Sequence, residues 1–130
     1  MKRFIVNARA LFPAVAVGML SHAAVAEPSN KWRIEFDEVA QTEGIIVLNV
    51  TPAGGTPVRV EAQIPAGTHE NQVASLVREA LQAKLGAAYS VEVDDGEDVL
   101  VKKEDANIAN FDMRLVSSSA TGLQIELERE

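Results

Sequence analysis

From residue 31 onward the chain is built of short runs in which apolar and polar positions alternate. Trp32, Ile34 and Phe36 interleave with Arg33, Glu35 and Asp37, the period of two expected of a strand with one buried face. Gly44 to Val50 follows a different rule, because Ile45, Ile46, Val47 and Leu48 are consecutive apolar residues, which predicts a mid-sheet strand covered on both sides. Residues 51–57 carry Pro52, Gly54, Gly55 and Pro57, the punctuation of a loop, and Val58, Val60, Ala62 and Ile64 then restore the alternation. The second and third strands are therefore expected to form a hairpin.

The period changes after Pro65-Ala66-Gly67. Val73, Leu76, Val77, Ala80, Leu81 and Leu85 recur at three- and four-residue spacing, so a helix from about His69 to Leu85 gathers them into one stripe and leaves Gln72, Arg78, Glu79 and Gln82 for water. Thr68 is the expected N-cap, Glu70 complements the positive end of the helix dipole, and Gly86 is the expected stop. A single helix of this length is marginal in water, so a sheet has to cover its stripe. Tyr89, Val91 and Val93 alternate again, Asp95-Gly96 is a hairpin signal, and Val99-Leu100-Val101 continues beyond it. Phe111, Met113 and Leu115, then Leu123, Ile125 and Leu127 past the break at Ser117 to Gly122, supply two more strands. The predicted fold is α+β: a largely antiparallel sheet of about seven short strands, in the order βββαββββ, with one amphipathic helix packed on one face.

The stretch from Ile64 to Leu115, with Gly67-Thr68 before an alanine-rich helix, then Tyr89-Ser90-Val91, Val99-Leu100-Val101 and a strand opening at Phe111, resembles strand–helix–hairpin modules of some phage tail proteins. The resemblance rests on patterned positions, so it implies a fold and carries neither sites nor function.

The segment upstream reads as an export signal. Lys2, Arg3 and Arg9 make a positive start, Ala10 to Leu20 an apolar run, and Ala24-Val25-Ala26 a small-x-small cleavage pattern, so cleavage is expected after Ala26. Pro13 breaks the run and Ser21-His22 ends it, short of the roughly 20 residues of a spanning helix, and no cysteine follows it to take a lipid. The expected product is a single domain, 27–130, free in the periplasm or outside the cell, without stable membrane insertion after cleavage. Removing 1–26 takes three basic residues and no acidic one, so 9 Lys+Arg face 19 Asp+Glu and the formal charge moves from -7 to -10. That balance, with no basic cluster, argues against a nucleic-acid partner. The absence of cysteine excludes disulfide scaffolds, thiolate metal sites and cysteine nucleophiles. A chain of this size buries about two thirds of its unfolded surface, enough for a core without metal or disulfide.

Candidate chemistry is sparse. Asp94, Asp95, Glu97 and Asp98 gather four carboxylates around Gly96, which makes them the candidate ligands of a weak calcium site, although Asp-Gly is also what a tight turn requires on conformational grounds. The run lacks the ligand spacing of the helix-loop-helix calcium motif, and no cofactor is implied. His69 is the one histidine after Ala26, flanked by Thr68 and Glu70, but consecutive residues at a helix start point in different directions and do not form a relay. Asp37, Glu38 and Asp112 are acids that long-range folding can pair for hydrolysis. Ala53-Gly54-Gly55 lacks the ending of a phosphate loop, and the sequon Asn49-Val50-Thr51 ends against Pro52 in a strand reading as buried. Trp32 is the interface candidate, since an indole at the start of a first strand anchors contacts well if that strand lies at an edge.

Two readings of different class stay open on these residues. One is an exported, acidic, non-enzymatic domain that binds a protein partner or assembles with itself; the other is a small hydrolase working through paired carboxylates, with a calcium or small-ligand carrier as a further alternative. The first draws on exposed strand edges, with the first and last strands the natural candidates, since edges recruit partners by strand addition unless blocked. Glu126, Glu128 and Glu130 either guard such an edge or steer a basic partner to it.

Overall fold

A computed structural model of the protein describes residues 27–130, and the expected signal segment Met1–Ala26 lies outside them. The described elements are β1 (Lys31–Asp37), β2 (Gly44–Pro52), β3 (Val58–Ile64), α1 (Glu70–Leu85), a short 3-10 turn, β4 (Tyr89–Asp94), β5 (Asp98–Lys103), β6 (Phe111–Ser118) and β7 (Gln124–Arg129). The α+β order βββαββββ is as expected, and every strand pairing is antiparallel. Both expected hairpins form, β2 with β3 and β4 with β5. The strands divide between two sheets, of order β4-β5-β1-β7 and β3-β2-β6. Successive strands therefore change sheet four times: from β1 to β2, from β3 to β4 through the helix, from β5 to β6 and from β6 to β7.

The first and the last of these crossings, β1 to β2 and β6 to β7, share one corner. Gln41 donates its N–H to Thr121 O at 2.7 Å, and Ser119 donates to Ile45 O at 3.1 Å. The chains run so close that a Cβ on Gly44 would collide with the backbone of Ala120, and one on Gly122 would lie 2.6 Å from Val39 O. Gly122 also has φ of 92°, so the corner uses glycine for both space and conformation.

The helix spans the gap between the sheets, packing on β3 of one and β4 of the other. Its buried residues are Val73, Ala74, Val77 and Leu81, which meet Ile34 and Phe36 of β1, Leu48 and Val50 of β2, and Val99 and Val101 of β5 in one core. Burial of each large apolar side chain is worth roughly 1.5–3 kcal/mol, against about 1 kcal/mol for a good N-cap. Packing therefore decides whether α1 forms, which matters because the cap is missing. Thr68, the expected N-cap, instead donates its hydroxyl to Pro65 O at 2.6 Å, and the N-cap position falls to His69, whose side chain makes no cap bond. The reason is the backbone: His69 is held extended by a bridge to Val39, which puts the helix start one residue further on. Gly86 ends the helix as expected, with φ of 75°.

Candidate functional site

The residues singled out by composition and spacing are not drawn into one place. Asp94 and Asp98 both turn to Arg33, at 3.0 and 2.9 Å, with Glu130 a third carboxylate on the same guanidinium at 2.9 Å. Those three hydrogen-bonded acids hold Arg33 firmly in its charged form. Asp95 and Gly96 turn the chain with φ of 54° and 81°, conformations that Asp and Gly adopt readily. Glu97 reaches across to Glu70 in the first turn of α1. The hydrogen bond between the two side chains, with partial desolvation and the charges of Glu70, Asp98 and Asp37, pushes the Glu97 carboxyl above the usual carboxylate range. His69 is exposed on the rim of the shallow depression between this turn and the helix start. Asp112 is buried and taken up by Arg114 Nε at 2.9 Å and by the N–H of Glu27 at 3.1 Å, whereas Asp37 accepts from the N–H of Glu38.

Trp32 corrects the idea of an edge indole. β1 is paired on both sides, by β5 and β7, so its first residues lie inside the sheet. The indole is only 7% exposed and donates Nε1–H to Phe111 O at 2.8 Å. It has no face left for a partner.

Strand edges are the feature that distinguishes one side of the molecule from the other. At β4 the edge is covered from the helix: Gln82 Nε2 donates to Tyr89 O at 3.0 Å, Gln82 Oε1 accepts the Val91 N–H at 3.2 Å, and Arg78 Nε donates to Val91 O at 3.2 Å. Two side chains expected to face water thus satisfy the main chain that a partner strand would otherwise use. The helix also flanks β3, where Arg59, Val60 and Glu61 face Ala80, Ala83 and Lys84.

β6 and β7 are treated differently. On β6, the Asn110 carbonyl bonds to the N–H of Ala53 on the β2 side, and Phe111 exchanges two bonds of 2.9 Å with Ser29 on the opposite side. Antiparallel alternation then turns the main-chain groups of Met113 and Leu115 to the Ser29 side. On β7, Glu130 donates to Lys31 O at 3.0 Å, so Glu126 and Glu128 bond to β1 and the main chains of Ile125 and Leu127 face outward. None of these four residues has a backbone partner among the described residues; Met113 is only 2% exposed, so the accessible ones are Leu115, Ile125 and Leu127. At one end the seam between the strands is filled by residues 27–29: besides the Phe111 bridge, Ser29 Oγ donates to Glu130 O at 2.6 Å, and Glu27 lies 3.6 Å from Arg129 Nε. At the other end stands the Gly44–Gly122 corner. Between them no described residue fills the seam.

Its two faces differ in chemistry. Toward the core it offers Ile125 and Leu127, half-buried, and Leu115, which is 38% exposed. On the outer face Glu126 and Glu128 of β7 stand beside Glu35 of β1, with a carboxylate oxygen of each within 4.8 Å of the others. None of the three forms an ion pair among the described residues. Glu128, then desolvation, Asp98 and Glu126 push the Glu35 carboxyl upward, and Arg33 only partly opposes them. Neither this acidic trio nor the covering role of Gln82 was visible in the sequence, because both arise from which strands become neighbours. No helix among the described residues is long and apolar enough to cross a membrane. No protein-family model matches the chain, and no curated protein matches it.

Proposed function

We propose that this protein is a non-enzymatic binding domain that takes up an extended polypeptide segment along the seam between β6 and β7. The observation that carries the reading is the contrast between edges: on β4 the main-chain groups of Tyr89 and Val91 are satisfied by Gln82 and Arg78, whereas Leu115, Ile125 and Leu127 present theirs outward without a backbone partner among the described residues. Natural sheets block or cover edges that are not used, and an open edge beside apolar side chains is the substrate of strand addition. The chain itself supplies a precedent, since extended residues 27–29 already pair with β6 at Phe111 and contact the end of β7. Export, expected from the pattern of Met1–Ala26, would put that partner in the periplasm or outside the cell.

The seam is tested with short peptides alternating Thr and Val, titrated into the protein and followed by backbone amide shifts. Shifts are expected at residues 113–117 and 125–129. Leu115→Pro deletes an outward N–H and leaves the inward bonds to β2 intact, so the variant is expected to fold and to lose the binding. Unshifted seam amides, or binding indifferent to Leu115→Pro, would contradict the reading.

A further inference from the structure

We infer that the segment accepted by the seam is one in which Lys or Arg alternates with apolar residues; this rests on the seam as the binding site and adds the chemistry of its occupant. The open edge defines the site, and the side chains on its two faces choose what fits there. A strand laid beside β7 places alternate side chains on opposite faces. Those on the core side meet Leu115, Ile125 and Leu127, which leaves apolar surface to be covered. Those on the outer side come next to Glu126 and Glu128, with Glu35 behind them, three carboxylates without ion-pair partners among the described residues. Opposite charges on neighbouring strands attract and like charges directly opposite repel. A second copy is a poor occupant for the same reason: β7 paired antiparallel about Leu127 with another β7 sets Glu126 and Glu128 of one against Glu128 and Glu126 of the other, repelling across the new ladder.

The experiment compares three peptides of equal length, alternating Lys with Val, Thr with Val, and Glu with Val, by amide-shift titration of the purified protein. The Lys–Val peptide is expected to bind about tenfold more tightly than the Thr–Val peptide, and the advantage to shrink as salt is raised. The Glu–Val peptide is expected to bind most weakly. Glu126→Gln with Glu128→Gln should bring the Lys–Val affinity down to that of the Thr–Val peptide. Equal affinity of the Lys–Val and Thr–Val peptides for the unsubstituted protein would overturn the inference and leave the seam reading standing. Lys–Val binding that survives Leu115→Pro would overturn it as diffuse attraction to an acidic protein. Failure of all three peptides to shift the seam amides would overturn both. Self-association that rises with protein concentration and is abolished by Leu115→Pro would assign the seam to a second copy and overturn the basic occupant.

Discussion

Glu97 and Glu35 are two carboxyls whose surroundings favour the protonated form, Glu97 chiefly through its hydrogen bond with Glu70 and Glu35 chiefly through the charge of Glu128. Each binds its proton more readily in the folded chain than in the unfolded one. The stabilisation this supplies is complete at pH values below the ordinary carboxylate range and is lost as pH rises through the raised folded value. At neutral pH both sites therefore cost stability. Glu97→Gln and Glu35→Gln should each raise the Tm at neutral pH, with the gain fading as the pH is lowered through the carboxylate range; thermal melts across pH check this. Arg33 works in the opposite sense. Its side chain is 18% exposed and gathers Asp94, Asp98 and Glu130, so Arg33→Met leaves three acids facing one another. The expected loss is about 1–2 kcal/mol by urea unfolding, smaller at high salt.

At the scale of elements, the helix shows what periodicity conveys and what it does not. The stripe Val73, Val77 and Leu81 was legible because three- and four-residue spacing follows from helix geometry alone, and the observed bounds differ from the expected ones by one residue. The cap was not legible: Thr68 has the right chemistry, but a bridge between Val39 and His69, thirty residues apart in sequence, moved the helix start. His69 now occupies the N-cap with φ of -81° and ψ of 161° and no side-chain bond, so His69→Ser should supply the missing acceptor and stabilise by about 0.5–1 kcal/mol. The assignment of Gln82 to water failed for a related reason, since polarity along a helix marks the side away from the core without saying which main-chain groups lie there. Gln82→Ala removes both partners of the β4 edge, at Tyr89 O and Val91 N. It should cost about 1–2 kcal/mol and speed amide exchange at Val91.

At the scale of the molecule, strand positions were legible and strand neighbours were not. Period-two runs located five of the strands and the consecutive apolar runs at 45–48 and 99–101 the other two, while the Asp95-Gly96 turn together with the Pro- and Gly-rich loop at 51–57 located the two hairpins. Nothing local specified that β5 and β7 would flank β1, or that β6 would join β2 in a separate sheet. Those choices buried Trp32 and brought Glu35, Glu126 and Glu128 together. They also left β6 and β7 beside each other at the ends of different sheets. The expectation that the first and last strands are edges holds for β7 and fails for β1, which lies between β5 and β7, because which strands are edges depends on long-range pairing.

Native-state hydrogen exchange on the free protein tests the openness of the seam most directly. The amides of Leu115, Ile125 and Leu127 should exchange much faster than those of Asp112, Arg114 and Glu126, which bond inward, and faster than Val91 under Gln82. If the outward amides of β6 and β7 prove as protected as their inward neighbours, the seam is closed in the free protein and the binding account fails.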